Sequence, residues 1–335
     1  MILGQFHEAF PMGDASRVGE ARRHAADLAQ ACGLDEVEAG RLAIVVTELG
    51  TNLVRHAREG RLLLSARPDR AEVEVISIDE GPGIHDVERS LDDGFSTGGT
   101  PGTGLGAVRR LADHFDLHSD VPRGTVIVAR VRSASQPADT SALSAGAVSL
   151  AAPGERVCGD GWGFALEGTR AAVMVADGLG HGPDAAEASR EALECFAAAP
   201  LRTAPREMLQ QAHARLRSTR GAAVMVLHAD AAQGTVRSAG AGNVMARLVS
   251  GVADRTLLCQ HGTAGITIRT PEETSTPWPP HAILVVFTDG IETRWKAEEV
   301  IPVLGRDPTL AAAVLARDYC RGRDDATVAV LRRKD

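Results

Sequence analysis

Aromatic residues are scarce in this 335-residue sequence: seven Phe, three Trp and a single Tyr amount to 3%. The cores must therefore be filled by Leu, Val and Ala. The five cysteines (Cys32, Cys158, Cys195, Cys259 and Cys320) are scattered, odd in number and free of CxxC spacing. That pattern argues against a disulfide framework or a zinc site and fits reduced thiols, with Cys158 a buried filler. No apolar run approaches the ~20 residues needed to cross a bilayer. The opening MILGQFHEAFPMGD has no basic segment leading into an apolar stretch, so no secretion signal is expected. Positive charge is not in surplus either. A formal net charge of −8 weighs against general binding to nucleic acid or anionic membranes, whose phosphates would be repelled. The expectation is a soluble, cytoplasmic protein.

The remaining composition, 44% hydrophobic and 24% charged, is that of an ordinary globular chain, and its length favours two domains. Residues 133–146, SASQPADTSALSAG, are small, polar and aperiodic between two strand-like runs, and read as a linker. This gives an N-terminal domain over 1–132 and a C-terminal domain over 147–335. The first begins with two helical stretches, ASRVGEARRHAADLAQACG and DEVEAGRLAIVVTELGTNLVRHAREG. Strand-like runs RLLLSAR and AEVEVISIDEG follow, then a glycine-rich loop, a helix at GAVRRLADHF, and the pair DLHSD and GTVIVARV. Helices covering one face of a sheet are predicted, an α+β sandwich. In the second domain, TRAAVMVADG, GAAVMVLHAD, GTVRSAGAGNVMARLV, AILVVFTDG and ATVAVLRR read as strands. Helices are expected between them at DAAEASREALECFAAA, PREMLQQAHARLR and DPTLAAAVLARDYCRG.

Glu48, Asn52 and His56 stand four residues apart, on one face of the second helix. Alone, such a stripe reads as a solvated face. Two later motifs change its weight: DEGPGI (79–84) directly after a strand, and GTGLG (102–106) directly before a helix. Glycines there let backbone N–H groups approach a phosphate chain, and the helix N-terminus adds its positive dipole end. With TELGTNLVRHA, DEGPGI and DGFSTGGTPGTGLGAVRRLAD, residues 5–131 resemble the GHKL ATP-binding fold of histidine kinases and gyrase. Within that fold they are most similar to the small RsbT/RsbW-type serine kinases of anti-sigma pathways. The resemblance implies that Asn52 holds Mg²⁺ on the phosphates of ATP and that Asp79 accepts a hydrogen bond from the adenine amino group. Gly81 and Gly83 would shape the base pocket, and Thr125 would support Asp79 through water. Residues 85–101 would form a lid, with Gly102, Gly104 and Gly106 at the phosphates. Glu48 could orient either a substrate hydroxyl or a water. A histidine kinase needs a preceding helix with a phospho-acceptor histidine, and the 47 residues before Glu48 are already used by the fold, which favours a protein serine/threonine kinase. His56 is expected to be structural.

Asp160, Asp177, Asp289 and the pair Asp324-Asp325 are far apart in sequence, yet most adjoin a strand-like run. Asp-Gly is a common turn pair, which explains any one instance but explains poorly DGLGHG after AAVMVA, TDG after ILVVF and DDAT before VAVL. Carboxylates gathered at strand ends form a hard oxygen site for Mg²⁺ or Mn²⁺, and two such ions about 4 Å apart can bind a phosphate and activate a water. PGERVCGDGW, VADGLGHG, SAGAGNVMARL, FTDGIET and DDATVAVL resemble the type 2C metal-dependent protein phosphatases in their SpoIIE/RsbX branch. That resemblance spans about residues 147–332 and implies an α-β-β-α sandwich. It implies two Mn²⁺ or Mg²⁺ ions bridged by Asp177, with the Gly178 carbonyl on one, Asp160 holding a metal directly or through water, and Asp289 and Asp324 completing the other. The order within the Asp324-Asp325 pair stays open, Asp325 being given the part of orienting water, and His181 is as readily structural as functional. The arginine that type 2C enzymes carry near the first acidic residue has no clear match here, so nothing in the motifs docks the phosphate.

Taken together, the resemblances imply a regulator joining a protein serine/threonine kinase to a protein serine/threonine phosphatase. Its substrates would be STAS-domain proteins, either anti-sigma-factor antagonists or stressosome scaffolds. An N-terminal domain that only senses nucleotide, or grips a partner such as a sigma factor, is the competing reading.

Overall fold

The computed structural model describes residues 1–4, 6–91, 104–136 and 140–334. Its chain forms two compact units, one of His7–Ala138 and one of Met1–Phe6 with Asp139–Asp335. The first residues thus join the C-terminal unit: β1 (Ile2–Leu3) pairs antiparallel with a strand there, Ile2 opposite Phe164 and Leu3 opposite Gly163. Backbone pairing over long sequence distance made that assignment, and local pattern carries no trace of it. No helix among the described residues is long and apolar enough to cross a membrane.

The N-terminal unit runs β2 (Glu8–Pro11), α1 (Ala15–Ala31), α2 (Glu36–His56), β3 (Arg61–Arg67), β4 (Glu72–Ile78), α3 (Val87–Ser90), α4 (Gly104–Leu111), β5 (His114–Asp120) and β6 (Gly124–Arg132). Its antiparallel sheet has the order β2-β3-β4-β6-β5. Helix α2 starts at a capping box: Asp35 Oδ1 accepts from the Glu38 N–H at 2.8 Å, and Glu38 Oε2 accepts from the Asp35 N–H at 2.9 Å. Two-residue alternation then sorts the strands. Leu62, Leu64, Val73, Val75, Ile127 and Ala129 pack with Val18, Ala21 and Ala25 of α1 and Leu42, Val46, Leu49 and Leu53 of α2. Each fully buried Leu or Val contributes about 1.5–3 kcal/mol. This is the predicted layer of helices on a sheet, with one correction. The helix expected through Phe115 stops at Leu111, because the Asp113 N–H bonds the Arg130 carbonyl at 2.8 Å and draws the chain into β5.

The C-terminal unit continues with β7 (Leu143–Leu150), β8 (Asp160–Glu167), β9 (Arg170–Gly178), α5 (Pro183–Ala198), α6 (Pro205–Arg215), β10 (Ala222–Asp230), β11 (Thr235–Ala241), β12 (Met245–Val249) and β13 (Asp254–Leu258). Then come β14 (Gly262–Thr263), β15 (Thr267–Ile268), β16 (Thr274–Pro277), β17 (Ile283–Phe287), α7 (Ala297–Val300), α8 (Pro308–Tyr319) and β18 (Ala326–Arg333). One sheet has the order β1-β8-β9-β10-β11-β16 and a second the order β13-β12-β17-β18-β7, while β14 and β15 form a small pair. Val173, Val175, Met225 and Leu227 of the first sheet meet Leu248, Leu284, Val286 and Leu331 of the second. The alternate residues Ala172, Met174, Ala176, Val224 and Val226 face α5 and α6 instead. Helix α8 lies on β7 and β18, so close that a Cβ on Gly146 would stand 2.4 Å from the Thr309 nitrogen. The layers are helix, sheet, sheet, helix.

Among the details that differ from the sequence reading here, two bear on the site. Strand β7 begins at Leu143, inside the segment read as linker, since Leu143 to Leu150 pair residue by residue with β18. The run 234–249 is two strands in different sheets, broken at Gly242, whose φ of 107° and close approach to Ala223 leave no room for a side chain. Asn243 therefore sits where the chain passes from one sheet to the other.

Candidate functional site

In the C-terminal unit the register of β8 on β9 sets Asp160 directly opposite Asp177. Asp160 is buried; its Oδ2 accepts from the Thr288 hydroxyl at 2.7 Å and its Oδ1 is buried without a partner. Thr288 leads β17 of the other sheet into Asp289, whose Oδ2 accepts from Asn243 Nδ2 at 2.6 Å. Just before β18, Asp325 is buried: Oδ1 accepts from the Ala152 N–H at 2.8 Å, and Oδ2 has no partner. The Asp325 N–H in turn bonds Asp324 Oδ1 at 2.9 Å. Gly178 admits no side chain, since a Cβ there would fall 2.1 Å from the Ala185 carbonyl oxygen of α5.

Five carboxylates thus converge from the ends of strands in both sheets. Burial, then the charges of Asp160, Asp289, Asp324 and Asp325, pushes Asp177 well above the usual carboxylate range. Asp160 is likewise raised, by burial with added repulsion from Asp325 and Asp289, against the opposing hydrogen bond from Thr288. Burial also raises Asp325. Among the described residues no three acidic, His or Cys side chains enclose a cation unaided. Nevertheless the two orphaned carboxylate oxygens and the all-oxygen donor set fit hard divalent cations that keep part of their water, as Mg²⁺ and Mn²⁺ do. Cys158, next to this cluster, has its thiol pushed up by burial and by Asp160 and Asp325, and so stays a protonated filler. His181 is exposed and hydrogen-bonded to Glu155 through Nδ1 at 2.7 Å.

In the N-terminal unit Glu48 and Asn52 are half-buried on successive turns of α2, and His56 is exposed at its end. Gly104, the first residue of α4, stands over the first two: a Cβ on it would lie 3.4 Å from Glu48 Oε2 and 3.5 Å from Asn52 Nδ2. The structure therefore brings Glu48, Asn52 and a helix N-terminus together. Asp79 follows β4, and its Oδ1 accepts from the Gly81 N–H at 2.7 Å. Gly83 has φ of 77°, with the Asp120 carbonyl 2.8 Å from where its Cβ would be. The Asp79 N–H bonds the Thr125 carbonyl at 3.0 Å, a main-chain link between the two residues. The Thr125 hydroxyl lies 2.9 Å from Ser119 Oγ, which accepts from the Ile84 N–H at 2.7 Å. Gly106 is buried within α4, while Gly102 and residues 92–101 of the expected lid lie outside the described residues.

Sequence reasoning passed over Asn243, Thr288 and Ser119. Asn243 ends SAGAGN, and only the break between β11 and β12 marks it as special.

Comparison with known proteins agrees with both halves. The family described as histidine kinase-like ATPase domain matches residues 12–131, and that described as stage II sporulation protein E (SpoIIE) matches residues 167–334. The serine/threonine-protein kinase RsbT of Bacillus subtilis is 36% identical over 111 residues, covering 32% of this chain and 84% of RsbT. A solved structure from the bacterial stressosome, a modular system adapted to control secondary messenger signaling, has a TM-score of 0.53 at 26% identity. It covers 57% of this chain and 99% of its own. RsbX, solved in complex with magnesium, shares the fold with a TM-score of 0.52 at 18% identity, over 59% of this chain and 98% of RsbX. The chain belongs to the SpoIIE family through its C-terminal unit, and its N-terminal unit is a histidine kinase-like ATPase domain of the RsbT kind.

Proposed function

We propose that the protein is a bifunctional signalling regulator, an ATP-dependent protein serine/threonine kinase joined to a Mn²⁺- or Mg²⁺-dependent protein serine/threonine phosphatase. Its substrates are phosphoproteins of the STAS class that partner-switching relatives suggest. The observation that carries the phosphatase half is the convergence of five carboxylates with two buried, unpartnered oxygens. Asp177 would serve both cations, with the Gly178 carbonyl and Asp160 on one side and Asp289 and Asp324 on the other. When bound, such cations supply Lewis-acid charge to a phosphoryl group and acidify a water. The chain's own part is orientation. Thr288 fixes one oxygen of Asp160, Asn243 fixes one of Asp289, and the Ala152 N–H fixes Asp325.

In the N-terminal unit Asn52 would hold Mg²⁺ on ATP, Asp79 would read the adenine, and Gly104 would let the phosphates approach the start of α4. Glu48 beside them is the candidate base for a substrate hydroxyl. Two substitutions separate these roles. Asn52→Ala is expected to weaken Mg-ATP binding about 100-fold, ~2.8 kcal/mol, in calorimetry. Glu48→Ala is expected to keep ATP and lose phosphoryl transfer. Radiolabelled transfer from ATP to candidate STAS proteins, with and without Mn²⁺, tests the whole reading. A wild-type chain that binds ATP and transfers nothing would assign this unit to nucleotide sensing or partner binding.

Opposed activities on one chain make sense if they share a phosphosite, since one tether holds both at high effective concentration over the same substrate. The site phosphorylated by an Asp177→Asn variant should be the site a Glu48→Ala variant dephosphorylates, as phosphopeptide mapping would show. Cleavage at another site only would separate the two functions.

A further inference from the structure

The carboxylate cluster can attract cations, but nothing in it recognises a phosphate. A cavity of about 650 Å³ borders it, lined by Asp289 and Asp324 together with Arg294, Arg321, Arg323 and Glu292. The three arginines come from two loops that are zipped together by main-chain bonds. Ile291 bridges Cys320, the Glu292 N–H bonds the Tyr319 carbonyl at 2.9 Å, and the Arg321 N–H bonds the Gly290 carbonyl at 2.8 Å. A Cβ on Gly290 would lie 2.0 Å from the Asp325 carbonyl oxygen, so the loops meet as closely as backbones can. This short ladder sets Arg321 against Gly290, the residue after Asp289, while Arg323 directly precedes Asp324 in the chain.

All three guanidinium groups are exposed, and among the described residues none is engaged in an ion pair or hydrogen bond. Several arginines elsewhere in this unit are paired, Arg215 with Glu191 and Glu194, Arg237 with Glu273, Arg247 with Asp254, whereas these three are not. Three uncommitted cations lining one concave mouth, with only Glu292 added to the two candidate metal ligands, call for an anion. Guanidinium groups suit a tetrahedral oxyanion because their forked N–H donors engage two oxygens at once.

We propose that Arg294, Arg321 and Arg323 dock the phosphoryl group of a phosphoserine or phosphothreonine substrate at the edge of the carboxylate cluster. The proposal rests on the phosphatase reading. It supplies the phosphate-docking residue that the motifs lack, on loops after β17 and before β18 and far in sequence from the first acidic residue. Arg321 and Arg323 carry most of the effect, since they adjoin the two aspartates in the zipped loops, and Arg294 carries less.

The test uses the full chain with Mn²⁺, a phosphothreonine peptide for kinetics, and inorganic phosphate for isothermal titration. Arg321→Ala/Arg323→Ala is expected to raise KM and the phosphate Kd by about tenfold or more, with kcat within about threefold and Mn²⁺ affinity unchanged. Arg321→Lys/Arg323→Lys should recover part of the loss, because charge survives while the fork does not. Arg294→Ala should cost about threefold. A double alanine variant whose KM and phosphate Kd stay within about twofold of wild type overturns the proposal, as does one that loses Mn²⁺ affinity instead. A wild-type chain that hydrolyses neither the peptide nor p-nitrophenyl phosphate overturns the phosphatase reading and this proposal with it. An active wild type with indifferent arginines sinks the docking site alone.

Discussion

Asp177→Asn is expected to lower the rate on a phosphoserine peptide by about 10³-fold, ~4 kcal/mol of transition-state stabilisation, at saturating Mn²⁺. Asp177 faces Asp160 across the β8-β9 pair, and four neighbouring carboxylates add to burial in disfavouring its charge. A group held against that much repulsion contributes nothing to the metal-free fold. Removing its charge should therefore leave the metal-free protein at least as stable as wild type in thermal unfolding. With Mn²⁺ present the order should reverse, because ligand that binds only the folded state stabilises it in proportion to RT ln(1 + [L]/Kd), and the variant binds less. The two measurements together separate a metal ligand from a packing residue, whose loss would lower stability in both conditions. Near-wild-type turnover in the variant would sink the assignment.

That the aspartates meet at all is only half legible in the sequence. VADG, FTDG and DDATVAVL each declare an aspartate at a strand end, because the apolar run and the Asp-Gly turn lie within one short window. Which ends share a neighbourhood depends on strand order, and β8, β9, β17 and β18 come from two different sheets. Asp160 illustrates the gap: β8 (DGWGFALE) is rich in glycine and lies outside the runs that read as strands, yet its register supplies the partner of Asp177. Asn243 was hidden for a related reason, since GTVRSAGAGNVMARLV reads as one strand until Gly242 turns it into the second sheet. In the N-terminal unit the helix face of Glu48 and Asn52 followed from four-residue spacing alone. The nearness of Gly104 to both required the tertiary fold.

No local pattern marks the charges buried in the sheet of the N-terminal unit, and their removal should have the largest effect on stability. Glu74 of β4 is fully buried and lies on the sheet face opposite the helices. Its carboxylate accepts from Arg67 Nη2 at 2.7 and 2.8 Å, from Arg130 Nε at 2.6 Å, and lies 3.1 Å from His7 Nε2. Burial alone would raise Glu74, but Arg67, Arg130 and His7 outweigh it and hold the group well below its ordinary 4.5. A depressed folded-state value means that the stabilisation is complete above pH 4.5 and is lost as the pH falls below it. Glu74→Gln keeps the shape but leaves two buried guanidinium groups facing a neutral amide in place of the carboxylate, with Glu72 3.3 Å from Arg67 and 3.8 Å from Arg130. The expected cost is about 3–5 kcal/mol, a large share of the roughly 5–15 kcal/mol that holds a typical domain. Hydrogen exchange should read it as lost protection of β3, β4 and β6 amides at neutral pH. The variant should also show a flatter acid limb than wild type below pH 4.5, because the titrating group is gone. If neutral-pH protection and the acid limb both match wild type, the cluster is not what holds these strands together. Loss of protection with an unchanged acid limb would instead trace the cost to packing, and assign the acid sensitivity to carboxylates elsewhere.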